Sequence, residues 1–252
     1  MIARGHTHLK LVQVSDCHVS SDPETAYRGL NAGRSLKSLL PAIRLFQPDL
    51  VLLTGDVSED ASPASYRRVA ALLGTIGAPV LALPGNHDDP QVMKQHFPDG
   101  PWNGPLFRAV KGWQLVLLDS TVRNEISGVL GDDRLAALES GLSRCMSDHV
   151  LLALHHQPVT VGSPWIDKYA LREPGPFLQL LDKDDRIRCV AWGHVHQDFC
   201  SQLGKVKLLG SPSSVANSIP GREKFTLDVG GPACRWLGLD RDGGVETGLL
   251  RA

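Results

Sequence analysis

No stretch of the 252 residues approaches the roughly 18 uninterrupted apolar residues that a membrane-spanning helix requires. The five cysteines, at 17, 145, 189, 200 and 234, are odd in number and never spaced C-x-x-C. That argues against a disulfide framework and for reduced thiols. The opening MIARGHTHLK lacks the apolar core of a secretory signal. Lys plus Arg (26) nearly balances Asp plus Glu (27), so no overall field draws in a nucleic-acid polymer or an anionic membrane. No internal repeat or low-complexity segment is present. The expectation is a cytoplasmic protein, one domain over residues 1–252, with neither membrane nor nucleic-acid partner. Any acidic ligand must then be held by local charge.

One kind of junction recurs five times: a short run rich in Val and Leu ends in a polar cluster. These are LVQVSDCH (11–18), LVLLTGD (50–56), VLALPGNHD (80–88), LLALHH (151–156) and CVAWGHVH (189–196). Such runs read as buried strands. Between them lie helical stripes. Leu36, Leu39, Leu40 and Ile43 keep i, i+3, i+4, i+7 spacing before Pro48 stops the helix. Val69, Leu72, Leu73 and Ile76 repeat it behind Ser62-Pro63, and Leu135, Leu138 and Leu142 form a third stripe with Asp132 as its cap. Strands alternating with helices predict an α/β architecture with a largely parallel sheet.

From residue 199 the pattern changes. FCSQLGKVKLLG predicts a hairpin turning at Gly204-Lys205, and FTLDV, CRWLGL and VETGLL predict short strands, with RDGG (241–244) as a turn. Residues 199–252 are therefore expected to complete a second sheet with antiparallel strands, and residues 1–8 to form a flexible tail.

In open α/β folds functional groups gather at the carboxyl ends of strands. The junctions supply Asp16 and His18, then Asp56, then Asn86 and His87, then His155 and His156, then His194 and His196. Carboxylates, an amide and imidazoles without a clear thiolate suit a borderline or hard divalent metal. Residues i and i+2 of an extended segment point the same way, so Asp16 with His18, and His194 with His196, can each aim two ligands at one place. Cys17 and Val195 then face away. The second G-H-x-H, Gly5 to His8, precedes the first strand and has no partners to complete. Singly, each of these features is a turn or a solvated histidine; their joint order is what carries weight.

That order, D-x-H, G-D, G-N-H-D, H and G-H-x-H over residues 16–196, resembles the calcineurin-like metallophosphoesterases. Within them the chain is similar to bacterial class III cyclic-nucleotide phosphodiesterases, the 3′,5′-cyclic-AMP type, through QVSDCH, TGDVSEDASPASY, LPGNHD, LLDS, LHHQPVTVGSPWIDKYALR, GHVHQ and FTLD. The resemblance implies a four-layer αββα sandwich of two mixed sheets. It implies two divalent ions, Fe or Mn foremost, with Zn, Co or Mg as alternatives. Asp16, His18, Asp56 and His196 would hold one, and Asn86, His155 and His194 the other, with Asp56 bridging. His155, first in H-H-x-P, is the matching ligand, and His156 its neighbour.

Two such ions can generate a bridging hydroxide and clamp phosphoryl oxygens. The expected reaction is hydrolysis of 3′,5′-cyclic AMP to 5′-AMP by a monomer or homodimer. His87 matches the family's non-ligand histidine and is assigned to the phosphate side, with Asp88 orienting its ring. Asn86 and His87 would also meet the substrate. Trp165, on the turn-rich stretch 160–177, can stack on a purine base or equally pack against that stretch's own prolines, and Asn31 is expected on the same rim. Gln157 and Glu173 depart from the family pattern on that stretch, which bears on substrate identity. Two alternatives stand beside this reading: a broader phosphodiesterase acting on 2′,3′-cyclic nucleotides or glycerophosphodiesters, and a scaffold without metals. The second is disfavoured because all seven ligand positions hold residues able to coordinate.

Overall fold

Along β1 (Thr7–Val14), Leu9 and Leu11 face one way, Val12 and Val14 the other, and all four are buried. A strand apolar on both faces must be covered on both faces. The computed structural model, which describes residues 7–252, supplies that cover as a sandwich.

After β1 come a small hairpin, β2 (Ala26–Tyr27) and β3 (Leu30–Asn31), then α1 (Ala32–Phe46) and β4 (Leu50–Thr54). They are followed by α2 (Pro63–Gly74), β5 (Val80–Leu83) and the single turn α3 (Pro90–Met93). The second half runs β6 (Leu106–Val110), β7 (Trp113–Leu117), α4 (Asp132–Ser143), β8 (His149–Leu154), the turn α5 (Pro164–Asp167), α6 (Gly175–Lys183) and β9 (Ile187–Trp192). The chain ends in β10 (Phe199–Leu203), β11 (Val206–Gly210), β12 (Ala233–Asp240) and β13 (Val245–Arg251).

One sheet has the order β13-β12-β1-β4-β5 and the other β10-β11-β9-β8-β7-β6. Both are mixed: β1, β4 and β5 are parallel, as are β7, β8, β9 and β11, while β6, β10, β12 and β13 pair antiparallel. Leu9, Leu11, Leu50, Leu52 and Leu81 pack between the sheets against Trp113, Leu115, Leu117, Leu151 and Leu209. Val12, Val14, Val51 and Leu53 face outward onto Leu36, Leu39 and Ile43 of α1 and Val69 and Leu73 of α2. Val116, Leu152, Leu154 and Val190 do the same beneath α4 and α6. The four-layer sandwich is the expected one.

Local signals set the helix ends. Ser62 accepts from the Ser65 amide with Pro63 in the first turn, and α1 stops at a left-handed Gln47 (φ 55°) just before Pro48. The third stripe differs in detail: Gly131, not Asp132, is the cap, and Asp132 is the first helical residue. There its charge meets the positive end of the helix instead of bonding an amide.

Three expectations about the termini need correction. The C-terminal quarter does not build one second sheet: β10 and β11 extend the six-stranded sheet, and β12 and β13 the five-stranded one. FTLDV forms no strand beyond a single bridge between Ser218 and Leu227, and Val229 is 97% exposed. The expected tail of residues 1–8 does not hold for Thr7 and His8, which belong to β1, Thr7 pairing with Asp240. His6 lies outside the described residues. Among the described residues, no helix is long and apolar enough to cross a membrane.

The cysteines are all free. Cys17, Cys189 and Cys234 are buried, and burial pushes each thiol up to about 12, while Cys200 is exposed. Native protein treated with iodoacetamide at pH 8 is expected to be alkylated first at Cys200, the buried three reacting only after denaturation. Peptide mapping that finds Cys17 modified as fast as Cys200 in native protein would contradict the packing.

Candidate metal centre

The five junctions meet at one edge, but extended chain does not aim them. Beyond the ends of β1, β4 and β9 the left-handed region holds Asp16 (φ 51°), His18 (φ 43°), Asp56 (φ 48°), His194 (φ 67°) and His196 (φ 47°). The i, i+2 convergence expected of a strand arises instead from alternating left-handed residues. The outcome for their neighbours is as anticipated, since Cys17 and Val195 are buried in the two outer cores. Non-glycine residues held this way cost of order 1–3 kcal/mol each and persist where the surroundings over-determine them. Here the Asp16 amide donates to Gly55 (3.0 Å), the His18 amide to Asp56 (2.9 Å), and the Ser213 hydroxyl to the Asp16 carbonyl (2.7 Å). Both Asp16 carboxylate oxygens accept from the His194 amide (3.1 Å).

Two glycines of the motifs are there for proximity. A Cβ on Gly85 would lie 2.2 Å from Asp56 Oδ1 and 2.8 Å from His155 Cε1. One on Gly193 would lie 2.1 Å from Ser15 Oγ and 2.9 Å from Asp16 Oδ2.

Hydrogen-bond partners decide which imidazole nitrogens are available. His155 Nδ1 faces the Thr54 carbonyl (2.8 Å) and His196 Nδ1 the Ala216 carbonyl (2.7 Å). His18 Nδ1 faces Glu59 Oε2 (2.7 Å). These partners only accept, so each Nδ1 carries the proton and each Nε2 is turned inward, the arrangement in which histidines hold metals. The Nε2 atoms of His18 and His196 lie 3.3 Å apart, and His194 Nε2 is buried without any partner among the described residues. His156 is different. Its Nε2 donates to the Ile126 carbonyl (2.9 Å) and its Nδ1 pairs with the Ser120 hydroxyl (2.8 Å), which leaves it no free lone pair. The choice of His155 over His156, which the sequence leaves to resemblance, thus has a local cause.

The electrostatics match a cation. Burial opposes the charge of Asp56, but His155, His87 and His18 outweigh it and hold its carboxyl well below the usual range. Burial likewise opposes the Asp16 charge, and His196 and His155 overcome it. Burial disfavours a charged His155, yet Asp56 pushes it up to about 9. Burial, then His156 and His155, drive His194 well below its ordinary value and so keep its ring neutral. Ligand atoms of four groups lie within 4.8 Å of one another: Asp16, His18 and His196; Asp16, Asp56 and His155; His18, Asp56 and His87; and His155, His156 and His194, of which His156 has both nitrogens already paired. Asn86 Oδ1 joins them, 3.3 Å from His155 Nε2. Inward lone pairs, two buried carboxylates and an orphaned nitrogen fit divalent ions.

The residues around the cluster depart further from expectation. His87 stands at the cavity, its side chain 37% exposed and its amide donating to Asp56 Oδ1 (2.9 Å). Asp88 does not orient it. Its oxygens accept from the amides of Val57, Ser58 and Gly85, tying two loops together, while burial and the Asp56 charge push its carboxyl up to about 6. The carboxylate beside the His87 ring is Glu59, 3.3 Å from Nδ1, which also holds His18. Nothing in the sequence separates Glu59 from Asp60. Only the pairing of Val19 with Ser58 brings it beside His18.

A cavity of about 350 Å³ opens over the cluster. Trp165 lines it, edge-on to Phe225 (5.2 Å) and to His196 (6.2 Å), its indole N–H buried without a partner among the described residues. Asn31 does not reach it: its Oδ1 caps α1 and its amide donates to the Pro23 carbonyl (2.7 Å). The neighbouring hairpin does, through Tyr27 and Arg28, which no sequence motif singles out. The two departures from the family pattern also lie off the cavity. Gln157 is buried and braces α5 through the Ile166 carbonyl (3.0 Å), and Glu173 is exposed in the left-handed region (φ 50°). Asparagine fits that conformation better, so this departure touches the backbone and not the substrate.

The sequence profile of the calcineurin-like phosphoesterases matches residues 9–198. The chain is 38% identical over 243 residues to a Pseudomonas aeruginosa protein named 3′,5′-cyclic adenosine monophosphate phosphodiesterase, covering 96% of this chain and 89% of that one. An Escherichia coli protein of the same name is 34% identical over 251 residues, covering 98% and 91%. Among solved structures, a dimetal phosphatase of Danio rerio superposes with a TM-score of 0.70 at 16% identity, over 97% and 99% of the two chains.

Gly85→Ala is expected to destabilise the fold by about 1–3 kcal/mol in urea unfolding, because Asp56 or His155 must move. Glu173→Asn is expected to stabilise it by about 1 kcal/mol. A Gly85→Ala variant as stable as the parent would show that the loop yields where the contacts say it cannot.

Proposed function

The chain belongs to the calcineurin-like phosphoesterase family, and from that premise we propose that it hydrolyses 3′,5′-cyclic AMP to 5′-AMP with two divalent ions in the buried cluster. The observation that carries this reading is the position of Asp56. Its Oδ2 lies 3.7 Å from His18 Nε2 and its Oδ1 3.5 Å from His155 Nε2, so one oxygen faces each donor set. On this reading Asp16, His18, Asp56 and His196 hold one ion. Asn86, His155 and His194 hold the other, with Asp56 shared. Oxygen and imidazole donors without thiolate suit iron or manganese first, with zinc, cobalt or magnesium able to enter the same set. When bound, such a pair supplies activated water and neutralises phosphoryl charge.

The protein's own groups do the rest. Glu59 and the carbonyls of Thr54 and Ala216 fix three rings so that their Nε2 lone pairs converge. His87 stands at the cavity against Glu59 and can stabilise the phosphoryl charge or give a proton to the departing 3′ oxygen. Trp165 flanks the space left for the nucleoside. Cyclic AMP is preferred to broader diesters because the named relatives match nearly the full length. A metal-free scaffold has no use for seven converging donors. All seven come from one chain, so a monomer or a homodimer would serve, and five free cysteines suit a reducing cytoplasm.

Chelation is expected to abolish turnover of cyclic AMP and lower Tm, with Fe(II) or Mn(II) restoring both. Asp56→Asn should lose metal from both sites, read by elemental analysis, and His87→Ala should keep both ions while kcat falls by about 10²–10⁴. Turnover of an aryl diester with none of cyclic AMP would move the assignment to a broader phosphodiesterase. Full turnover by His87→Ala would reduce that residue to ordering its loop.

A further inference from the structure

The hairpin between β2 and β3 carries a residue its turn does not want. Tyr27 pairs with Leu30, so the loop is the two residues Arg28 and Gly29, both at positive φ (48° and 82°). This is the turn whose first central position favours asparagine or glycine, because other side chains are strained there. A strained non-glycine residue beside a cavity points to use of its side chain. The Arg28 guanidinium lies flush on the Phe225 ring, 3.7 Å from its centroid, and Nε donates to the Tyr27 hydroxyl (3.2 Å). Among the described residues its two Nη groups donate to nothing, although Arg28 lines the cavity.

The arrangement around His196 gives the guanidinium a purpose. Tyr27, Trp165 and Phe225 stand 6.1, 6.2 and 6.2 Å from the His196 ring, three aromatic rings collaring that side of the centre. Tyr27 is also stacked flat on His18 (3.9 Å, 4°), which fixes the hairpin relative to the donors. We infer that the Arg28–Phe225 pair is the base-recognition element, its guanidinium plane and ring holding the substrate's purine while the phosphate lies at the donor cluster. Bases stack on arginine planes as they do on aromatic rings. This rests on the cyclic-nucleotide reading above, and it makes Arg28 and Phe225 specificity residues.

The test compares two ligands with the same phosphate, 5′-AMP and ribose 5-phosphate, by calorimetric titration of the metal-loaded protein. The parent should bind 5′-AMP at least about tenfold more tightly. Arg28→Asn, which suits the left-handed turn, should have a Tm no lower than the parent and unchanged metal content, yet bring the two affinities within about twofold. Phe225→Ala should also bring the two affinities within about twofold. Equal affinities in the parent, or an undiminished preference in Arg28→Asn, would overturn the inference. So would an equal weakening of both ligands, which would put the guanidinium on the phosphate, or a lowered Tm, which would make Arg28 structural. If the parent keeps its preference for 5′-AMP but never hydrolyses cyclic AMP, the reaction falls and the base site stands.

Discussion

Two carboxylates kept ionised at zero or near-zero exposure, Asp16 and Asp56, constrain everything around them. Burial of a charge is tolerated only when it is paired and hydrogen-bonded. Backbone amides of His194 and His87 point at these carboxylates, and imidazoles from three separate strand ends surround them. The glycines of the motifs, the left-handed residues and the carbonyls that fix each Nδ1 proton all follow from closing a shell around that charge. The shell is assembled where two sheets abut at the carboxyl ends of their parallel strands. Neither sheet alone supplies it: Asp16, His18 and Asp56 follow strands of one, His155, His194 and His196 strands of the other.

That dependence on strand ends is why so much of the site is legible in the amino-acid order alone. The donor residues come directly after strands, and buried strands announce themselves as Val- and Leu-rich runs. All seven proposed donor positions can be named because every one sits within four residues of such a run. What the pattern does not carry is conformation. Asp16 and His18 look like alternate residues of a strand, and the left-handed geometry that converges them leaves no compositional trace. The same limit hides Glu59, whose partner His18 is 41 positions away.

The misreadings have a common physical origin. FTLDV has the composition of a strand, but composition is only a preference for a half-buried pleated surface, and here the segment pairs through the single bridge of Leu227 with Ser218. Phe225 instead turns toward the cavity. Asn31 lies on the hairpin that reaches the cavity, three residues after Arg28, but its Oδ1 caps α1 and its amide donates to the Pro23 carbonyl. Asp88 follows His87 directly in sequence, yet its carboxylate faces three backbone amides. In each case the neighbourhood was right, and a competing hydrogen bond or packing demand decided the individual side chain.

The position of β1 has a consequence for how the chain is made. It is the middle strand of its sheet, bonded on one side to β4, which follows soon after, and on the other to β12, residues 233–240. A ribosome working at about 5–20 residues per second needs on the order of ten seconds or more to reach β12 after β1 has emerged. Throughout that interval one edge of the strand carrying LKLVQV stands open beside the growing chain, so the newborn protein depends on its last strands to close its first.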